Sequence, residues 1–265
     1  MWKQAFSQRE TYDVAYSLAE DDFKISFYEL TCIDWMVKKL KISSKSNILD
    51  VGCGLGKVLT LICYLKGCYG VGVDISIKGL KKAYNYAKKL NVKDKCDFIV
   101  ADIRFLPFRK NIFTSIICNH VLEHVEDDFK VMEEMISSLN FNGGIYIASP
   151  NTYKRSLPLI QLDYRIGDKY HGHLRHYKAE TLASYLSKLG AKVLEVAYYD
   201  NLLRKVVFNL PKIGGFEPYP LNSISLRKRF SEALWFVLER IEEKIKHIPT
   251  GLNLYIVAVK EQNLS

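Results

Sequence analysis

The chain has 265 residues, 48% of them hydrophobic and 25% charged, enough for one sizeable core with or without an insert. No apolar run approaches the roughly eighteen residues of a membrane span, and Met1-Trp2-Lys3-Gln4-Ala5-Phe6-Ser7 lacks the apolar stretch of a signal peptide. The formal net charge is +9, and the six cysteines form no C-x-x-C pair, so reduced, mostly buried thiols and a cytoplasmic setting are expected.

In chain order, residues 21–40 read as an amphipathic helix, with Phe23, Phe27, Leu30 and Val37 marking its faces. It precedes the first strand and is expected to cover one edge of a ligand site, as part of an N-terminal helical cap over residues 1–45. Ile48-Leu49-Asp50-Val51-Gly52-Cys53-Gly54-Leu55-Gly56 then reads as a strand running into a tight turn before a helix at 57–65. Glycines allow that turn and let a ligand approach the backbone closely. The pattern is G-x-G-x-G, whereas the dinucleotide fingerprint is G-x-G-x-x-G with a pyrophosphate on the helix N-terminus. Asp50, two residues before Gly52, would repel a pyrophosphate and attract a sulfonium or an ammonium group. The loop therefore favours S-adenosylmethionine over NAD.

The next acids fall at strand ends. Residues 69–74 read as a second strand ending in Asp74, about where an acid accepts hydrogen bonds from ribose hydroxyls. Ser76 then caps a helix to residue 90. Residues 98–103 read as a third strand with Asp102 near its end, placed to accept from an adenine amino group. A fourth strand, 112–118, runs into Asn119-His120-Val121-Leu122-Glu123-His124. A helix at 126–139 is stopped by Asn142-Gly143-Gly144, and a strand at 145–149, a helix at 179–189 and strands at 192–198 and 253–260 follow. The fifty or so residues between the last two strands are too long for a plain loop. Within them, 225–247 reads as a long helix whose apolar face includes Trp235 and Phe236.

DVGCGLG, GVDIS, ADIRFLPF and NHVLEHVED resemble successive motifs of the class I S-adenosylmethionine-dependent methyltransferases, in the small-molecule branch that includes ubiquinone and menaquinone biosynthesis enzymes. The resemblance covers residues 46 to about 198. It implies an α/β fold, Rossmann-like, with a seven-stranded, mostly parallel sheet, one antiparallel strand and helices on both faces. It implies a single domain: the cap over 1–45, a cofactor-binding core over 46–199, a helical insert or lid over 200–251, and a final strand and tail over 252–265. It implies that Asp50, Gly52, Gly54 and Gly56 cradle the methionine part, Asp74 holds the ribose, and Asp102 with Ile103 the adenine, with Ile75 and Asn119 also among the cofactor-binding residues.

The acceptor side is read from two histidine-bearing segments. His124 follows the fourth strand, on the edge where the methyl group should sit, and is a candidate base. Tyr170-His171-Gly172-His173-Leu174-Arg175-His176-Tyr177 resembles the G-H-x-R-x-[FY] stretch of small-molecule members. His176 is a second catalytic candidate, and His173, Arg175 and Tyr177 are candidates for acceptor binding. H-x-H can chelate a metal, yet no acid or cysteine cluster accompanies it in sequence, and Asn119 stands where metal-dependent catechol-type members carry an acid. No metal is expected. The expected reaction is methylation, at oxygen, of a small or lipid-like acceptor. The alternatives are RNA or protein methylation, a non-catalytic nucleotide-binding module, and an NAD-dependent reductase, against which Asp50 argues. The lysine-rich stretch 78–95 keeps nucleic acid open as a partner without favouring it, and the insert allows a peripheral membrane contact.

Overall fold

A computed structural model of the protein describes residues 2–18, 27–152, 168, 172–199, 241, 244, 246 and 253–262. Helix α1 (Trp2–Leu18) and helix α2 (Phe27–Lys39) precede β1 (Asn47–Val51), α3 (Lys57–Lys66), β2 (Tyr69–Asp74), α4 (Ile77–Lys89) and β3 (Cys96–Val100). Then come β4 (Phe113–Asn119), α5 (Asp128–Ser138), β5 (Leu139–Pro150), α6 (Ala179–Lys188), β6 (Ala191–Tyr199) and β7 (Asn253–Lys260). The seven strands form one sheet in the order β3-β2-β1-β4-β5-β7-β6, parallel except for β7, which is antiparallel to both neighbours.

The strands read as unbroken apolar runs because both faces of the sheet are covered. Alternate side chains point to opposite faces, and the core divides accordingly. Leu49, Val51, Ile116, Cys118, Ile145, Ile147, Leu254 and Ile256 pack on one face with α5 and α6. Ile48, Ile117, Tyr146, Ala148, Tyr255 and Val257 pack on the other with α2 and α3. Strand order reverses between β1 and β4, and ligands of open α/β sheets bind outside the strand ends at such a switch point.

Several boundaries differ from those expected. β3 ends at Val100, so Asp102 lies beyond the strand, in a turn closed by Phe105 N donating to the Asp102 carbonyl at 2.9 Å. α5 ends at Ser138, and the expected stop signal lies inside β5, where Asn142 takes φ 60° as the ladder skips from Phe113↔Leu139 to Ser115↔Gly144. Ser76 caps α4 as expected, its hydroxyl accepting from Gly79 N at 3.0 Å.

The cover over the strand ends is also not the helix expected. α2 packs against the far half of the sheet, its Trp35 ring edge-on to Tyr146, Tyr199 and Tyr255. α1 lies over the glycine loop instead. The Asp13 carboxylate accepts from the Ser76 hydroxyl and from Lys78 N at 3.0 Å, a negative charge at the N-terminus of α4. A Cβ on Gly54 would meet the Tyr16 hydroxyl at 2.6 Å, and one on Gly79 the Tyr16 ring at 2.8 Å, so glycines are what let α1 come this close.

The helix expected at 225–247, apart from Ile241, Lys244 and Lys246, lies outside the described residues. Lys246 pairs with Glu195 at 3.1 Å, and its carbonyl accepts from Tyr198 N at 2.7 Å, which fixes that point of the chain against β6. No helix among the described residues is long and apolar enough to cross a membrane.

Candidate active site

At the switch point, a cavity of about 200 Å³ is lined by Gly52, Asp74, Ile75, Asp102 and Ile103, by Arg104, and by His120, Val121, His124 and Val125 beyond β4. Tyr12 and Tyr16 of α1 close it from above.

The glycine loop is held by β2. Gly52 N and Cys53 N both donate to the Val73 carbonyl, at 2.8 and 3.0 Å. The Asp74 carboxylate accepts from Gly54 N and Ser76 N, each at 2.8 Å, so this side chain ties the loop to the start of α4 and still faces the cavity. Gly52 has φ 71°, and a Cβ there would meet Val121 Cγ2 at 2.6 Å across the switch point. Gly56 serves packing: its Cβ would strike Ala83 at 2.6 Å and Phe98 at 2.8 Å.

Asp50 is buried behind the loop. Burial, then the neighbouring Asp74, raises its carboxyl to a pKa of about 7. Burial raises Asp74 too. Two poorly solvated carboxylates, one on the cavity wall and one behind the loop, favour a cationic ligand, because a positive charge offsets both the lost hydration and their mutual repulsion. Burial works against ionisation of Asp102, yet the Arg104 guanidinium holding both its oxygens keeps its carboxyl below the usual range.

Past β4, His120 takes φ 56° and its Nδ1 lies 3.2 Å from Glu123 Oε1, while the Ser149 hydroxyl donates to Glu123 Oε2 at 3.0 Å. Burial would push the fully buried Glu123 up, but the His120 contact holds it below the usual range. Its carbonyl accepts from Leu174 N at 2.8 Å, which brings segment 172–177 against the site. Burial lowers the His124 pKa although Glu123 pulls it up, and the Gly172 backbone bonds its ring. The His124 ring lies 5.0 Å from that of His173 and edge-on to that of Tyr12 at 6.2 Å.

Of the residues singled out in sequence, Gly52, Asp74, Ile75, Asp102, Ile103 and His124 line the cavity. Asp50, Gly54, Gly56 and Asn119 stand behind or beside it. Two acceptor candidates are not on its wall. The Tyr177 hydroxyl is buried and donates to Asp128 and to the Leu122 carbonyl. Arg175 pairs with Asp128 at 2.8 Å and donates to the Glu126 carbonyl at 2.8 Å. Both anchor segment 172–177 to the start of α5 and neither lines the cavity. Arg175→Met is therefore expected to lower stability by about 1–3 kcal/mol, since buried Asp128 loses its cation, and to leave the acceptor KM unchanged. Thermal melts and steady-state kinetics together check this. His173 and His176 lie beside the cavity, not on its wall. His171 falls outside the described residues. Sequence reasoning passed over Tyr12, Tyr16, Arg104, Glu123 and Asp168; a tyrosine pair at i, i+4 was the one available signal for α1.

Fold and site together define a Rossmann-like protein with an acid-lined cavity at the switch point of its sheet. Residues 42–196 match the family model described as a methyltransferase domain, and the chain belongs to that family. Ubiquinone biosynthesis O-methyltransferase of Rickettsia prowazekii is 26% identical over 189 residues, 68% of this chain and 71% of the relative. Norajmaline N-methyltransferase of Rauvolfia serpentina is 32% identical over 90 residues, 34% of this chain and 31% of the relative. Sterol 24-C-methyltransferase of Saccharomyces cerevisiae is 24% identical over 225 residues, 78% of this chain and 57% of the relative. The chain thus spans less than two thirds of the length of several such relatives. Among solved structures, geranyl diphosphate C-methyltransferase of Streptomyces coelicolor, in complex with Mg2+, geranyl diphosphate and S-adenosyl-L-homocysteine, shares the fold with a TM-score of 0.62 at 15% identity, covering 88% of this chain and 79% of that one.

Proposed function

We propose that the protein transfers the methyl group of S-adenosylmethionine to a small or lipid-like organic acceptor, at oxygen. The observation that carries the reading is a pair of buried acids on adjacent strands, Asp74 on the cavity wall and Asp50 behind the glycine loop. A ligand with a sulfonium, an ammonium and a ribose diol matches them; a pyrophosphate does not. The relatives named above are named for ubiquinone biosynthesis, norajmaline and a sterol, which supports an organic acceptor.

Methyl transfer from a sulfonium is an in-line displacement, so the protein's task is to align donor and acceptor and to exclude water. Tyr12 and Tyr16 over the cavity supply the exclusion. An acceptor hydroxyl must also lose a proton. His124 stands on the cavity wall, and burial keeps its ring neutral. The Gly172 backbone orients the ring, and a neutral imidazole has one nitrogen lone pair with which to take a proton. His124→Gln is expected to lower kcat about a hundredfold or more while S-adenosylhomocysteine binds as before. Single-turnover kinetics and calorimetry on the same variant check the two halves.

The reading as a whole is tested by incubating the protein with methyl-labelled S-adenosylmethionine and a cell extract, then separating small-molecule, lipid, RNA and protein fractions. Label in the first two supports it. Label confined to RNA or protein overturns the acceptor, and no label with no S-adenosylhomocysteine binding overturns the activity.

A further inference from the structure

Asp168 stands a few residues before His173 and His176 in sequence, and the fold turns the chain back so that it meets both rings. Asp168 Oδ1 lies 2.9 Å from His173 Nδ1 and 2.7 Å from His176 Nε2, so two imidazole nitrogens converge on one carboxylate oxygen. The local chain is shaped for this. Gly172 N and His173 N both donate to the Asp168 carbonyl, at 2.8 and 3.1 Å, with Gly172 at φ 69° making the turn. Asn151 and Tyr177 form a parallel bridge, with Tyr177 N on the Pro150 carbonyl and Thr152 N on the Tyr177 carbonyl, which pins the far side of the segment to the end of β5.

Proton placement sharpens the point. The Asn151 carbonyl, 3.0 Å from His176 Nδ1, can only accept, so Nδ1 carries the hydrogen. Nε2 is then the atom turned toward the carboxylate oxygen. A histidine that donates one N–H to a backbone carbonyl and offers its other nitrogen is also the usual arrangement of a metal ligand.

We propose that Asp168, His173 and His176 bind a divalent transition-metal ion of the zinc type. Two imidazoles and one carboxylate suit zinc and its first-row neighbours better than magnesium or calcium, which favour oxygen shells. Around a tetrahedral ion with bonds of 2.0–2.2 Å, ligand atoms lie about 3.3 Å apart, so small side-chain shifts from the present spacing make room. Glu123 stands within reach of His173 as well, but His120 and Ser149 already hold its carboxylate. The ion neighbours the cavity without opening on it: His173 lies against His124, and the Gly172 carbonyl that orients His124 is on the clamped segment. Its role is to hold that segment and so the His124 ring. That consequence rests on the methyl-transfer reading; the binding itself does not.

The test uses the untagged full chain, stripped with chelator and titrated with Zn2+ in competition with a chromophoric chelator, and with Co2+ to read the visible spectrum of the site. One equivalent of metal is expected. Asp168→Asn and His176→Gln should each weaken it at least about tenfold, while His120→Ala leaves it unchanged. S-adenosylhomocysteine affinity, measured on every variant, reports that the fold persists and stands or falls separately. No stoichiometric metal in the wild type, or equal affinity in the folded Asp168→Asn and His176→Gln variants, overturns the proposal and leaves a hydrogen bond between His176 and Asp168.

Discussion

Asp74→Ala is expected to weaken S-adenosylhomocysteine binding by at least about a hundredfold. A carboxylate holding a ribose diol makes two hydrogen bonds of about 1.5–3 kcal/mol each, and their loss at the lower end already amounts to two powers of ten. The same carboxylate also accepts from Gly54 N and Ser76 N. Removing it leaves those two donors short of a partner and loosens the turn that must meet the methionine part, so the melting temperature should fall as well. Asp74→Asn separates the two effects. One amide oxygen can still accept from the backbone, so the variant should melt above Asp74→Ala, yet the lost charge and the added N–H group facing Gly54 or Ser76 leave it a poor ribose acceptor. Calorimetry with S-adenosylhomocysteine and with NAD, beside thermal melts, gives both numbers. Unchanged S-adenosylhomocysteine affinity in folded Asp74→Ala would remove Asp74 from the site.

The strand ends were legible because their chemistry is local. Glycines at 52, 54 and 56 and acids at 50 and 74 announce a turn and its charge within a few residues, and an apolar run bounded by such a turn can hardly be anything but a buried parallel strand. The cover was not legible. Residues 2–18 carry no apolar stripe, because the face they present to the cavity is Tyr12 and Tyr16 rather than aliphatic, and helical periodicity registers only the latter. Arg175 and Tyr177 looked like acceptor contacts because polar residues in a loop after a strand invite that reading. Their partner is Asp128, more than forty residues earlier, and no local pattern points to it. The same holds for Glu123 beside the histidines, which meets Ser149 and Leu174 only when β4 and β5 lie side by side; Asp168, five residues before His173, was within local reach but carries no pattern of its own.

Cofactor affinity is expected to rise with pH up to about 7 and then level off. In the free protein, burial and then the charge of Asp74 hold the Asp50 carboxyl at a pKa of about 7, well above its ordinary value. For an acid raised in this way the folded state keeps a proton that the unfolded chain has released, so this group makes the free protein less stable as pH climbs from about 4 to about 7. A bound ammonium or sulfonium favours the charged form and draws the pKa down again. Below pH 7, binding must therefore expel the proton, and affinity should fall by about tenfold for each unit of acidification until the bound-state pKa is reached. Calorimetry with S-adenosylhomocysteine in two buffers of different ionisation heat reads this directly: close to one proton released per ligand at pH 6 and none at pH 8. Asp50→Asn, which cannot ionise, should lose the proton release, bind more weakly at pH 8, and lose most of its disadvantage near pH 5.5, where the wild-type carboxyl is protonated too. An affinity in the wild type that stays constant from pH 5.5 to 8 would mean that the cation does not sit near Asp50, and the charge argument for S-adenosylmethionine would then rest on Asp74 alone.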